Sequence, residues 1–133
     1  MPRFAVRRLD EIPTVGDAAV EWYPLQHYFG LTAFGVNAFV ARAAGDELVA
    51  EHDESGSGQE ELYIVLRGGV RFTLDDESHD MAAVSVVAVP DPSVRRSAVA
   101  LDEDATLLAT GAEAHEAFAS TWRSSWFDHV PRA

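Results

Sequence analysis

Apolar residues fall into short runs separated by acidic or glycine-rich segments. The strongest run, Leu62 to Leu66, is rich in the β-branched and aromatic residues that favour strands, and Val70, Phe72 and Leu74 alternate with polar neighbours along the next run. We predict strands over seven runs: 31–41, 48–53, 62–66, 70–74, 84–89, 94–101 and 106–110. So many short strands, with no credible long helix, favour an all-β fold, either a barrel or a sandwich.

The segments between the runs carry turn signals. The polar loop Ser55 to Gln59 contains two Ser-Gly pairs and predicts a hairpin between the strands that flank it. The pair Gly68-Gly69 predicts a second, tight hairpin. We expect a solvated turn in the acidic cluster Asp75 to Asp80, and the valine-rich run that Pro90 ends is typical of a fully buried strand.

The length of the chain and the positions of its prolines limit the possible domain organisation. At 133 residues the chain is long enough for one domain with its own core. Pro13 and Pro24 interrupt the first part of the chain, so we expect there an irregular arm with one short strand or helical turn, from which Trp22 and Tyr23 pack onto the body. We divide a single domain, 1–133, into an arm, a core barrel and a tail that begins with one or two helical turns: residues 1–30, 31–111 and 112–133.

The composition excludes several classes of partner. Ten basic residues, all arginine, stand against 22 acidic ones, which gives a formal net charge of -12. A surface of that sign repels nucleic acid and anionic membranes, so we expect neither as a partner. The chain has no cysteine, and no apolar run approaches the roughly 18 residues of a membrane span. We therefore expect a cytoplasmic protein without disulfides or thiolate-bound metal.

Candidate chemistry concentrates on either side of the Ser-Gly loop. His52 and Glu54 lie two residues apart at the end of an extended run, so their side chains share a face. The predicted hairpin places Glu61 beside these two side chains. One imidazole and two carboxylates so close together would hold a cation or pair with an arginine. Tyr63 points to the same side as Glu61, and Gln59 at the end of the loop can also reach the site.

The spacing of these residues resembles the first conserved motif of the cupin superfamily. In cupins a glycine, a His-x-His pair, a glutamate and a closing glycine follow one another, and the histidines and the glutamate bind a metal. Here Gly45 and Gly68 match the glycines and Glu61 the glutamate, while His52 and Glu54 match the pair as His-x-Glu. The resemblance covers roughly the core barrel. It implies a cupin-type antiparallel β-barrel, also called a jelly roll or double-stranded β-helix, with a metal on these three side chains.

The second cupin motif has a proline, a glycine two residues later and a metal-binding histidine three residues after that. The stretch Pro90-Asp-Pro92-Ser-Val-Arg95 resembles it, with a proline in place of the glycine and Arg95 in place of the histidine. Arginine stays protonated and cannot ligate a metal at neutral pH. The motif count places Arg95 inside the barrel, although a slip at Pro92 would place Arg96 there instead. An inward arginine would pair with one of the two glutamates and favour anionic ligands.

Two functions remain open at this point. In the first, the three candidate ligands hold Mn²⁺, Fe²⁺, Ni²⁺ or Zn²⁺ in a metal-dependent enzyme of unknown substrate. In the second, the barrel is a metal-free module or isomerase-like enzyme for a small polar molecule, with Arg95, Tyr63 and Gln59 as candidate binding residues. A third, weaker hypothesis is an interaction domain that uses its outer face. The sequence does not decide whether the protein is an enzyme, because cupin folds serve many activities.

The alternation along the central strand also bears on assembly. If Glu61 and Tyr63 point inward, Leu62, Ile64 and Leu66 form an outward row of large aliphatic side chains. Such a row is seldom left in water, so either the amino-terminal arm or a second subunit covers it. We expect a homodimer.

Overall fold

The computed structural model describes residues 3–114, 120 and 122–132. The described chain forms nine strands, one short α-helix and two 3-10 helices. In chain order the strands are β1 (Glu21–Tyr23), β2 (Gly35–Val40), β3 (Glu47–His52), β4 (Gln59–Arg67), β5 (Gly69–Leu74), β6 (Glu77–Ala82), β7 (Ser85–Val89), β8 (Arg96–Ala100) and β9 (Thr106–Glu113). Helix α1 spans Leu25–Phe29, and the 3-10 helices span Leu9–Glu11 and Ser124–Phe127.

Two antiparallel sheets make up the body. The larger has the strand order β1-β2-β9-β4-β7 and the smaller the order β3-β8-β5-β6. Alternate residues of both sheets point into one shared core, where Tyr63, Phe72 and Leu107 are among the largest fully buried side chains. This architecture confirms the predicted all-β jelly roll with short irregular and helical terminal segments.

Both predicted hairpins are wrong. The loop from Ser55 leads from β3 in the smaller sheet to β4 in the larger one, and Gly68 leads from β4 back to the smaller sheet. A turn signal marks a reversal of the chain, but in two facing sheets the reversed strand can cross to the other layer instead of pairing with its predecessor. Gly68 has a φ of 68°, and a Cβ there would meet the backbone of Ala105 at 3.1 Å, so this crossing requires glycine.

Three strands differ from the prediction in existence, length or burial. The acidic cluster turns only at Asp75 and Asp76, because β6 begins at Glu77 and pairs with β5. The side chains of β6 are mostly exposed, so no hydrophobic alternation could mark it as a strand. β9 continues past Thr110 to Glu113. The valine-rich β7 is not fully buried, since Val86 faces outward.

The amino-terminal arm covers part of the larger sheet. It contains the predicted short strand and helical turn as β1 and α1. Ile12, Tyr23 and Tyr28 are buried together against Ala38 of β2. The arm therefore supplies the apolar cover of the outer side of β2, as far as Leu108 of β9.

The tail packs against the amino-terminal arm. Phe127 and Val130 are buried with Val15, and Trp22 and Trp122 pack on them. Of the predicted helical turns over 112–119, residues 112 and 113 instead end β9, and residues 115–119 lie outside the described chain. No helix in the described ranges is long and apolar enough to cross a membrane.

Candidate functional site

A cavity of about 450 Å³ lies between the two sheets. Two groups of side chains line it. The polar group comprises His52, Glu54, Gln59, Glu61 and Tyr63, together with Gln26 and Asn37. The apolar group comprises Trp22, Phe39, Leu48, Val49, Trp122 and Trp126. The volume lies in the range of small-molecule sites, which pair an apolar wall with a few placed polar groups.

Strand pairing positions the polar group. His52 ends β3 and lies opposite Arg96, the first residue of β8, in the smaller sheet. Glu61 and Tyr63 alternate inward along β4, which is the second strand from the edge of the larger sheet. One ligand atom from each of His52, Glu54 and Glu61 lies within 4.8 Å of the others. The structure therefore brings the three predicted side chains together, although through a crossing between sheets and not through a hairpin.

His52 and Glu54 form an ion pair. The imidazole Nε2 lies 2.9 Å from Glu54 Oε1, and Nδ1 lies 2.7 Å from the carbonyl oxygen of Ala50. Because an ionised carboxylate and a carbonyl only accept hydrogen bonds, both ring nitrogens must donate, which favours the imidazolium. The hydrogen bond to Glu54 accordingly raises the pKa of His52, helped by the bond to Ala50 and opposed by burial.

Glu54 is held in place from both sides. Its hydrogen bond with His52 lowers its pKa, and a second bond from the Ser57 hydroxyl acts in the same direction against the effect of burial. Ser57 belongs to the Ser-Gly loop, so the turn residues of that loop also orient the carboxylate. Both pKa shifts favour the charged form of the pair, and these hydrogen bonds fix its position.

Glu61 is paired with Arg96. Arg96 Nη1 donates to Glu61 Oε1 at 2.6 Å, and the hydroxyl of Tyr63 donates to the same oxygen at 2.6 Å. The Arg96 side chain is 0% exposed, and its Nε and Nη2 donate to the carbonyl of Val94 at 3.0 and 2.8 Å. Burial and the negative charge of Glu61 raise the pKa of Tyr63, so its proton stays on the hydroxyl.

The prediction that Arg95 points into the barrel is wrong. Arg95 lies outside, with its Nε 3.4 Å from Glu51 Oε1 and its Nη1 3.7 Å from Asp53 Oδ2. Strand β8 begins one residue later than the motif count assumed, so Arg96, Ala98 and Ala100 face inward. The guanidinium of Arg96 is used by Glu61 and backbone carbonyls, and no arginine lines the cavity among the described residues, so the arginine on which the expected bias toward anionic ligands depended is not exposed to a ligand.

Gly111 of β9 makes room for Glu61. The two residues are partners across the strands. A Cβ on Gly111 would meet the carbonyl oxygen of Glu60 at 2.8 Å and the Cγ of Glu61 at 3.0 Å. The glycine lies inside a strand, where it otherwise only weakens the sheet, so close approach is its physical reason.

The termini supply the aromatic wall, which the sequence reasoning missed. The rings of Trp22 and Trp122 meet edge to face with centroids 4.5 Å apart, and Trp22 Nε1 donates to Asn37 Oδ1 at 3.0 Å. His27 stacks on Phe127 with centroids 4.9 Å apart, and its Nε2 lies 3.0 Å from the carbonyl of Val130. Tail residues thus reach the cavity through an aromatic cluster, whose only signal in the sequence is the concentration of aromatic residues in both terminal segments.

No protein-family model matches the chain, and no curated protein matches it. Solved structures do match. A cupin protein from Bacteroides fragilis is 20% identical, with a TM-score of 0.62 over 91% of this chain and 93% of that chain. A Cupin 2 conserved barrel domain protein from Salinispora arenicola is 18% identical, with a TM-score of 0.61 over 96% of both chains. The chain has the cupin fold.

A third structural neighbour is described by its activity. It is a sugar phosphate isomerase from a cupin superfamily, from Silicibacter pomeroyi, 22% identical, with a TM-score of 0.62 over 80% of this chain and 74% of that chain. At such identities the likeness shows the fold, while the activity has to be argued from the site.

The cupin fold implies a metal, and the polar group fits one poorly. The donor atoms are close enough to share a cation. However, Glu61 Oε1 already accepts from Arg96 and Tyr63, and a divalent ion would lie beside a fully buried guanidinium. His52 would also have to give up the proton that it shares with Glu54. Among the described side chains, no buried polar atom lacks a hydrogen-bond partner that a metal would satisfy.

Proposed function

We propose that this cupin binds a small, uncharged, partly apolar organic molecule in its cavity, and that Arg96 balances Glu61 in the place of a metal ion. The observation that carries the proposal is the Arg96–Glu61 contact of 2.6 Å on a fully buried guanidinium. With His52 protonated, His52 and Arg96 carry two positive charges and Glu54 and Glu61 two negative ones. These four side chains together are therefore neutral without any further ion.

The residues that line the cavity support an uncharged, partly apolar ligand. An anionic ligand would meet two carboxylates and no arginine among the described lining residues, and a cationic one would compete with His52 for Glu54. Trp22, Phe39 and Trp122 offer apolar and aromatic surface, which suits a ring or an aliphatic body. Gln59 offers a polar contact to a hydroxyl or carbonyl group on that body, and His52 Nε2 offers one in exchange for its hydrogen bond to Glu54.

The His52–Glu54 pair gives the cavity acid-base chemistry. The hydrogen bond to Glu54 raises the pKa of His52 above the ordinary value of 6.5, so the imidazole keeps its proton to a higher pH than a free histidine does. A group with such a pKa can protonate a ligand oxygen or, once neutral, remove a proton from an adjacent carbon. Proton transfer is therefore the reaction class that we propose if the ligand is a substrate, with His52 as the transferring group and Glu54 orienting it.

Tryptophan fluorescence tests the proposal directly, because all three tryptophans of the chain line the cavity. We would titrate three probes with the same ring: cyclohexylmethanol, cyclohexanecarboxylate and cyclohexylmethylamine. The alcohol should change the emission at the lowest concentration. A carboxylate or an amine that binds about tenfold more tightly than the alcohol would contradict the charge argument.

A matched pair of variants separates the cavity from the surface. Ala109 lines the cavity, whereas Ala88 faces outward on β7. A109L should fill the cavity and weaken binding of the alcohol about tenfold or more, and A88L should leave binding unchanged. Equal responses in the two variants, with both shown to be folded by thermal unfolding, would place the probe outside the cavity.

Metal binding by His52, Glu54 and Glu61 is the second candidate function, and the 4.8 Å clustering of their ligand atoms favours it. Elemental analysis of protein purified without a histidine tag distinguishes the two. We expect less than stoichiometric metal, and added Zn²⁺ or Mn²⁺ should stabilise the wild type no more than H52A. A stoichiometric metal that H52A loses would replace the first proposal with the second.

A further inference from the structure

Two amide side chains among the residues that line the cavity have a fixed orientation. Asn37 of β2 accepts a hydrogen bond from Trp22 Nε1 at 3.0 Å through its Oδ1. Gln26 of α1 accepts one from the backbone N–H of Val36 at 2.5 Å through its Oε1. An indole N–H and a backbone N–H only donate, so each contact requires the oxygen of the amide and not its nitrogen.

The nitrogens of these two side chains, which we call the amide pair, remain as donors. Gln26 and Asn37 are both half-buried in the cavity wall. Neither amide nitrogen donates to another group of the described chain, and no buried side-chain nitrogen there lacks a partner, so both nitrogens reach the open space of the cavity. The amide pair therefore presents N–H groups to a ligand, because its oxygens are already engaged.

The amide pair lies apart from the charged side chains of the cavity. Asn37 pairs with Ala109 of β9, which pairs in turn with Tyr63 of β4. Neighbouring strands are about 4.8 Å apart, so the backbone of Asn37 is roughly 10 Å from that of Tyr63. Between them Ala109 presents only a methyl group to the cavity. A ligand that fills this space needs one polar group for the amide pair and an apolar body over Ala109.

We propose that the amide pair recognises a carbonyl oxygen, so that the ligand is an uncharged carbonyl compound. The inference rests on the proposed function and names the polar group of that ligand. A carbonyl oxygen accepts two hydrogen bonds and has no proton of its own, whereas a hydroxyl group also needs an acceptor, and the oxygens of the amide pair are engaged. A carboxylate would accept the same bonds but would bring a negative charge into a cavity that Glu54 and Glu61 line.

A ketone and its matching alcohol test the preference for a carbonyl group. Cyclohexyl methyl ketone and 1-cyclohexylethanol have the same carbon skeleton, and the emission of the cavity tryptophans reports the binding of either. The wild type should bind the ketone about three to ten times more tightly, which corresponds to one hydrogen bond. Equal binding, or tighter binding of the alcohol, overturns this inference and leaves the proposed function in place. If neither probe binds, the proposed function fails and the carbonyl preference fails with it.

Substitutions of unchanged shape identify the amide pair as the source of the preference. N37D keeps the oxygen that accepts from Trp22 and replaces the Nδ2 donor with an acceptor, so it should bind the alcohol more tightly than the ketone. Q26E should act in the same direction. A88D adds the same charge on the outward side of β7 and should keep the wild-type preference. A ketone preference that folded N37D and Q26E both retain would contradict the proposal.

Trp22 acts here as a positioning residue, because its indole N–H fixes the orientation of Asn37. W22F removes this donor and lets the amide turn over, so the ratio of ketone to alcohol affinity should fall toward one. W122F is the matched control. It removes the indole that meets Trp22 edge to face, and should change the binding of both probes by the same factor. A ratio in W22F equal to that of the wild type would show that this hydrogen bond does not orient the amide, and would overturn the assignment of Nδ2 as the donor.

Discussion

Arg95 and Arg96 are neighbours with the same side chain, and they lie on opposite sides of the sheet. Arg95 reaches exposed carboxylates of Glu51 and Asp53 at 3.4 and 3.7 Å. Arg96 is 0% exposed and contacts Glu61 at 2.6 Å. Successive side chains of an extended chain point to opposite faces of the sheet, and this alone separates the two arginines. A shift of the strand by one residue would exchange the arginine at the surface with the one in the core.

The comparison teaches that a buried charge and an exposed charge have different roles. An exposed pair is screened by water and contributes little to stability. A buried guanidinium has to be hydrogen-bonded on all sides, and Arg96 is, through Glu61 and the carbonyl of Val94. Arg96 thereby fixes both the position of Glu61 and the turn that precedes β8.

The largest expected effect separates the two arginines. R96A leaves Glu61 without its partner in a site where the carboxylate is only 14% exposed, so we expect a loss of about 3–5 kcal/mol in the free energy of unfolding. R95A should cost at most about 1 kcal/mol. Urea denaturation of both variants measures the difference.

The double variant R96M/E61Q serves as the control for R96A. It removes both charges, so it should recover at least about 1 kcal/mol relative to R96A if the loss comes from the unpaired carboxylate. Equal losses in R95A and R96A would contradict the assignment of inside and outside. An R96M/E61Q variant as unstable as R96A would show that packing, and not charge, holds Arg96.

The fold could be predicted from the sequence further than the site could. Period-two alternation in β4 and β5 and the glycine and proline signals located most strands, because those features are local. Pairing partners were not predictable in the same way, since β3 pairs with β8, more than 40 residues later. The local sequence could not decide whether Arg95 or Arg96 points inward. The burial of Arg96 decides it, and that burial depends on the distant pairing of β3 with β8.

The second-largest expected effect tests the tight packing around Glu61, on the inward face of the larger sheet. G111A puts a methyl group 2.8 Å from the carbonyl of Glu60 and 3.0 Å from Glu61, so we expect a loss of about 1–3 kcal/mol and weaker probe binding. G56A is the matched control, because nothing lies within 4 Å of a Cβ there. A neutral G111A in thermal unfolding would show that the strands can separate without cost and that Glu61 is not fixed.

The third effect concerns the affinity of the site for Zn²⁺. In R96H the competing cation is gone at neutral pH and an imidazole lies opposite His52 across the strands, so Zn²⁺ affinity should rise at least tenfold, about 1.4 kcal/mol. R95H, on the outer side, should leave it unchanged. Calorimetric titration of the two variants and the wild type measures the affinities. A wild type that binds Zn²⁺ as tightly as R96H would mean that Arg96 does not exclude the metal.

The aromatic wall shows a second limit of sequence reasoning. Trp122 and Trp126 pack on each other, with ring centroids 6.2 Å apart. That they also line the cavity depends on the tail crossing to Trp22, which is a contact over 100 residues of chain. No spacing within the tail contains that information.

The smallest effect is the pH dependence of the inner pair His52–Glu54. The pKa of His52 is raised above 6.5, so its stabilising contribution is complete below that pH and is lost as the pH rises through the higher folded value. The pKa of Glu54 is lowered below 4.5, so its contribution is complete above that pH and is lost as the pH falls through the lower folded value. The pair therefore stabilises the fold most between pH 4.5 and 6.5.

E54Q removes the charge of the pair and serves to measure this dependence. Because the His52 side chain is 38% exposed and partly screened, the difference between wild type and E54Q should stay below about 1 kcal/mol. It should be larger at about pH 5.5 than at about pH 9, because the contribution of protonated His52 is lost as the pH rises through its raised folded pKa. E51Q, which breaks the outer contact with Arg95 and leaves the His52–Glu54 pair intact, is the control and should show no such change over that range. A difference for E54Q that is the same at both pH values would mean that His52 is never protonated in the fold, and the neutral balance of charges around the cavity would then be wrong.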